Sequence, residues 1–132
     1  MNTPRPTIDR TNTSVIFIDG LKTVSEANTR GRGWQGKHFR GKAQAVRVRA
    51  ELLDGRKRLP RPPFICRLVR IGPKRLDDDN LASAFKAIRD DIADFFGVDD
   101  GDTTAIRFEY GQEAHGVHKY AVRIELTPAS DQ

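Results

Sequence analysis

Three consecutive carboxylates, Asp77, Asp78 and Asp79, sit between the basic pair Lys74-Arg75 and the residues Asn80-Leu81. Adjacent like charges repel, so the run costs stability unless a helix terminus or a bound cation offsets it. Capping and the helix macrodipole are each worth roughly 0.3 to 1 kcal/mol and would be satisfied by one Asp. The chemistry that uses the rest is metal-assisted phosphodiester hydrolysis, in which a divalent ion activates a water and neutralises the leaving oxygen. Mg²⁺, or Mn²⁺ in its place, takes oxygen ligands and keeps several waters, so two to four Asp residues suffice without His or Cys. In extended backbone Asp77 and Asp79 point to one side and Asp78 to the other. That makes Asp77 and Asp79 the ligand pair, with Asn80 left to cap a helix or orient a ligand.

The element that must carry this corner is a helix over 81–96. Leu81, Phe85, Ile88, Ile92 and Phe95 recur at i, i+4, i+7, i+11 and i+14, one apolar face. Gly97 reads as a left-handed C-cap, and Asp99, Asp100 and Asp102 follow at once. The two acidic groups are separated by roughly 25 to 30 Å along a straight helix. A third carboxylate completes the site if the second loop folds back, or if the next strand pairs beside the one that feeds Asp77. A cation is also expected, to stabilise charge developing on the phosphoryl group. Lys86 lies on the polar face with Ser83 and Asp90, begins roughly 10 Å along the axis from Asp79, and has a stem that leans toward the N-terminus. Its alternative is an ordinary exposed lysine paired with Asp90 at i+4.

Ahead of the corner, residues 14–19 form a short β-branched and aromatic run that reads as a buried strand. Residues 28–37 mix glycines with Arg30, Arg32, Lys37 and the single Trp34, a loop suited to wrapping a phosphate backbone, with Trp34 either stacking on a base or anchoring the core or its rim. A second helix is expected over 38–53, with Phe39, Ala43, Val46, Ala50 and Leu53 inward. Its outward stripe would be Arg40, Gln44, Arg47 and Glu51, a solvated or phosphate-tracking face. Residues 56–63 are a basic, proline-rich connector. Residues 64–71, 105–110 and 120–126 alternate as strands, with a turn at 111–116 that makes the last two a hairpin. The expected fold is a single α+β domain, a small mixed sheet with two helices in the order β-α-β-α-β-β. Residues 1–12 and 128–132 are expected to be disordered tails.

The totals narrow the function. The 132 residues carry a net charge of +5. Residues 1–75 hold 18 Lys/Arg against 5 Asp/Glu, net +13, and residues 76–132 hold 5 against 13, net −8. A polyanion held by the first part and a metal by the second fits this split, as does mutual neutralisation across the fold. No apolar run reaches a membrane-spanning length, so the expected compartment is the cytoplasm and no membrane partner is expected. Cys66 is alone in an apolar run and reads as core. His38, His115 and His118 are too scattered for a metal site, the EF-hand pattern is absent, and no Walker-type loop calls for a nucleotide cofactor.

Lys74 to Leu81, followed some twenty positions later by Gly97-Val98-Asp99-Asp100, resembles the RusA family of Holliday-junction resolvases, found largely on prophages. The match of motif and order covers residues 64 to 126; the first half is similar only in outline. The resemblance implies a homodimeric, Mg²⁺-dependent endonuclease that nicks four-way DNA junctions symmetrically in recombination and repair. Asp77, Asp79 and Asp100 would be its metal-binding catalytic acids, and Arg30, Arg32, Lys37, Arg40, Lys74 and Arg75 would hold DNA. Two departures stand out. Ser83 occupies the place of a family lysine one turn into the helix, shifting that role to Lys86 or Lys74, and Gln112 stands where a later strand often ends in lysine. The alternative is a branched-DNA-binding protein with weakened catalysis.

Overall fold

A computed structural model describes residues 12–23, 33–99, 101–114 and 119–129, with the side chains of 33–41 left out. Its elements are β1 (Ser14–Asp19), α1 (Gly33–Asp54), a 3₁₀ turn (Arg56–Arg58), β2 (Phe64–Gly72), α2 (Asp78–Ala84), α3 (Lys86–Phe96), β3 (Ile106–Ala114) and β4 (Ala121–Pro128). The result is a small α+β fold with a four-stranded mixed sheet and three α-helices among the described residues.

The sheet order is β1-β4-β2-β3, and β4 runs antiparallel to both β1 and β2. β3 lies on the far side of β2, parallel to it, with Phe64 opposite Ile106 and Gly72 opposite Ala114. The expected C-terminal hairpin is therefore absent: β2 separates β3 from β4. A parallel neighbour needs a long crossover, and α2 with α3 supplies it. Nor do residues 111–114 turn, for β3 continues through them. At the C-terminal end Pro128 still pairs with Phe64, so the expected tail at 128 begins inside β4; residues 1–11 and 130–132 lie outside the described residues.

One core fills the space between helices and sheet. Ile16, Ile18, Cys66, Leu68, Ile124 and Leu126 meet Val48, Leu52, Phe85, Ile88 and Ile92 there. Burial raises the Cys66 thiol well above its ordinary pKa, with Glu125 adding to the rise, as befits a core residue rather than a nucleophile. On the other face of the sheet, Arg123 bonds Glu113 at 2.6 Å and Glu125 at 2.7 Å.

Two helices depart from expectation. The helix over 81–96 starts earlier, at Asp78, and breaks at Phe85, whose φ of −97° and ψ of 1° end α2. Its apolar face is nonetheless the expected one, and Leu81, Phe85, Ile88 and Ile92 are buried. α1 begins at Gly33, so residues 33–37 are helix rather than loop, and it is turned the other way. Gln44, Val48 and Leu52 face inward, while Val46 is 68% and Leu53 46% exposed. Arg47 donates to the Asp19 carbonyl at 3.0 Å and Arg49 to Asp94 at 2.6 Å. Of the stripe expected to be solvated or to track phosphates, Gln44 is thus in the core and Arg47 is on an intramolecular contact, while the side chain of Arg40 lies outside the described residues. Val46→Glu should leave the unfolding free energy within about 0.5 kcal/mol of wild type, whereas Leu52→Ala should cost about 2 to 5 kcal/mol. Chemical denaturation checks both, and the reverse ranking would restore the sequence-based orientation.

Candidate metal and nucleic-acid site

The acidic corner follows from where β2 ends. Past Gly72 the chain leaves the sheet, and Asp77, in extended backbone at φ −73° and ψ 169°, becomes the N-cap of α2. Its Oδ1 accepts from the Asn80 N–H at 2.9 Å, a cap that stabilises by about 1 kcal/mol. Asp78 and Asp79 are already helical. The strand alternation expected to place Asp77 and Asp79 on one side therefore does not apply, because only Asp77 is extended. All three carboxylates are exposed, as are Lys74, Arg75 and Asn80. Asn80 does not cap by its side chain; its backbone N–H receives the cap.

Two side chains brace this corner. Arg70 donates through Nη1 to the Lys74 carbonyl at 2.6 Å. Gln112 accepts from the Leu76 N–H at 2.9 Å and donates to the Leu76 carbonyl at 2.8 Å. From the sequence Gln112 is only a departure from a lysine, and Arg70 is only a strand residue. The alternation that sets the two strands side by side was visible, but their register was not.

The second acidic group lies at the opposite end of β2. The Phe64 N–H bonds the Ala105 carbonyl at 3.0 Å, which fixes the 99–105 turn beside the start of β2. β2 has nine residues, so the two ends are roughly 26 Å apart. The following strand does pair beside β2, as convergence required, but its parallel direction carries the acids away. Asp99 accepts from the Gly101 N–H at 3.3 Å. Asp102 accepts from the Thr104 hydroxyl at 2.5 Å and N–H at 3.0 Å. Those two bonds, the hydroxyl's first, hold the Asp102 carboxyl below its ordinary pKa, so Asp99 and Asp102 each have a structural role in the turn. Asp100 lies outside the described residues. Among the described residues no three His, Cys, Asp or Glu side chains are grouped to hold a metal ion.

Lys86 opens α3 and reaches toward Asp90, Nζ to Oδ2 at 3.6 Å. With Asp90, Asp94, Val98 and Asp99 it lines one shallow groove, so its ammonium is directed toward the Asp99 end and not back to Asp79. That leaves Lys74 and Arg75 as the cations beside the acidic corner in sequence. Arg30 and Arg32 lie outside the described residues, and so do the side chains of Trp34, Lys37 and Arg40, whose backbone belongs to α1.

Asp91, next to Asp90 on α3, has a buried Oδ2 that finds no hydrogen-bond partner in the structure. Burial pushes its carboxyl up to about 6, Asp90 and Asp94 add to the rise, and Arg49 opposes it. The folded chain thus holds this proton more tightly than an unfolded chain, whose Asp titrates near 3.9. The contribution is favourable below about pH 4 and is lost as pH rises through about 6. Asp91→Asn should therefore raise the thermal midpoint at about pH 7.5 and give no gain at about pH 4. A gain of equal size at both would assign the effect to packing.

No helix among the described residues is long and apolar enough to cross a membrane. No protein-family model matches the sequence, and no curated protein matches it. Among solved structures the chain is similar to a Plasmodium falciparum IspF in complex with CDP, at 14% identity, with 89% of this chain and 96% of that chain covered and a TM-score of 0.38. A likeness at that score carries no argument about what this chain does.

Proposed function

We propose that the chain is a Mg²⁺-dependent endonuclease acting on branched DNA as a two-fold dimer, with Asp77 and Asp79 holding the metal. The observation that carries this reading is the exposed acidic turn at the start of α2, braced from below by Arg70 and Gln112 and led into by exposed Lys74 and Arg75. Mg²⁺ commonly uses one or two carboxylates, with waters and substrate phosphates filling the remaining positions. When bound it supplies an activated water and neutralises charge on the phosphate. Asp77 keeps Oδ1 on its cap and offers Oδ2, Asp79 offers its carboxylate from the first helical turn, and Lys74 and Arg75 hold the flanking phosphates.

In the proposed dimer the 99–102 turn would act across subunits, since it lies at the far end of β2 from Asp77. A two-fold axis perpendicular to β2 sets the Asp77 end of each copy beside the Asp99 end of its partner. Asp100 then joins the site from the other subunit, and two such sites serve opposing strands of a four-way junction. Mixing Asp79→Asn and Asp100→Asn proteins, each inactive alone, should restore single-strand nicking, because the mixed dimer keeps one complete site. If mixtures stay as inactive as their parents, the acids do not act across subunits.

The second reading, a branched-DNA-binding protein with weakened catalysis, is favoured by Ser83 at the place of the family lysine and by Lys86 being engaged with Asp90. Tight, salt-sensitive junction binding without product in any divalent metal would establish it.

A further inference from the structure

The geometry points to Gln112 as the residue that positions the acidic corner, a role resting on the reading of Asp77 and Asp79 as metal-holding residues. Arg70 and Gln112 are register partners at the ends of β2 and β3. The Gln112 amide accepts from the N–H and donates to the carbonyl of the same residue, Leu76. A strand offers a residue the same pair of bonds, so Gln112 replaces the sheet where β2 has left it. A side-chain amide carries an acceptor and a donor side by side on one planar group; ionised Glu lacks the donor and Lys lacks the acceptor.

Arg70 adds the second hold. It is 4% exposed and reaches Lys74 by passing Gly72, where a Cβ would come within 2.8 Å of its Nη2 and 3.0 Å of its Cζ. Residues 74 and 76 are thus fixed from neighbouring positions of two strands. Asp77 follows directly, and its cap sets the first turn of α2, which carries Asp79. Gln112 touches neither metal nor substrate in this arrangement; it acts through the backbone of Leu76.

The test combines amide hydrogen exchange with Mg²⁺ titration of junction cleavage and junction binding in Ca²⁺, for Gln112→Ala and Gln112→Glu. Gln112→Ala should speed exchange at Leu76 about tenfold while the Leu68 amide in β2 is unchanged. It should raise the Mg²⁺ needed for half-maximal cleavage roughly tenfold, with junction binding unaffected. Gln112→Glu keeps the acceptor and should retain protection at Leu76 while losing part of the Mg²⁺ response. Unchanged exchange at Leu76, or faster exchange spread evenly over β2 with an unshifted Mg²⁺ midpoint, overturns the proposal. A wild-type protein that cleaves no junction at any Mg²⁺ concentration removes the nuclease reading, and with it the corner's catalytic purpose, while exchange at Leu76 still decides whether Gln112 holds the backbone.

Discussion

Asp79→Asn is expected to reduce Mg²⁺-dependent cleavage of a four-way junction by roughly three orders of magnitude, about 4 kcal/mol of barrier. The substitution is nearly isosteric and changes one oxygen to an amide nitrogen. On the proposed reading it removes a negative metal ligand, and it leaves an exposed residue in the first turn of α2, so the thermal midpoint should barely move. Asp77 allows the two roles of a carboxylate to be separated. Asn caps a helix as well as Asp does, so Asp77→Asn should lose cleavage and keep stability. Asp77→Ala should lose cleavage and also about 1 kcal/mol of stability. Single-turnover rates measured beside thermal midpoints distinguish these outcomes; wild-type rates in Asp79→Asn would remove that carboxylate from the site.

Phe85→Ala should cost about 3 to 5 kcal/mol, a large share of the 5 to 15 kcal/mol that holds a typical domain together. Phe85 is fully buried where α2 ends and α3 begins. Its ring stacks on Tyr110 of β3, centroids 6.0 Å apart at 14°. Tyr110 in turn accepts from Arg89 of α3 at 2.7 Å. Removing the ring therefore opens a cavity where the crossover meets the strand it leads to, and neither helix can close it without losing its other contacts. Denaturant unfolding should show the loss at an unchanged slope. A cost below about 1 kcal/mol would mean that the helix break is not packed as described.

The strands were readable because each alternates or runs apolar over a short span bounded by Gly, Pro or Asp, as at 14–19 and 64–71, although the first is an edge strand with Val15 and Phe17 exposed rather than a buried one. Gly97 was readable as a cap because a left-handed residue must end that helix, and it does so at φ 72° with its N–H on Ala93 and Asp94. Strand neighbours were not readable. Alternation at 105–110 and 120–126 says that both are strands and nothing of which edge of β2 each takes, or that the first runs on to Ala114. The orientation of α1 escaped for a related reason. Phe39, Ala43, Val46, Ala50 and Leu53 keep a regular apolar spacing, but Val48 and Leu52 supply a competing face, and Arg47 and Arg49 find partners on β1 and α3 only once the fold exists. The braces on the acidic corner depend on register in the same way, since Gln112 and Leu76 lie 36 positions apart.

Where the metal binds decides most directly between these readings. Mn²⁺ broadens the amide signals of residues close to it, so titrating Mn²⁺ into the wild-type protein and into Asp79→Asn maps the site independently of cleavage. The expected result is broadening centred on residues 77–81 that disappears in Asp79→Asn. Broadening confined to the 99–102 turn and its neighbours, or broadening at 77–81 that Asp79→Asn leaves intact, would contradict it.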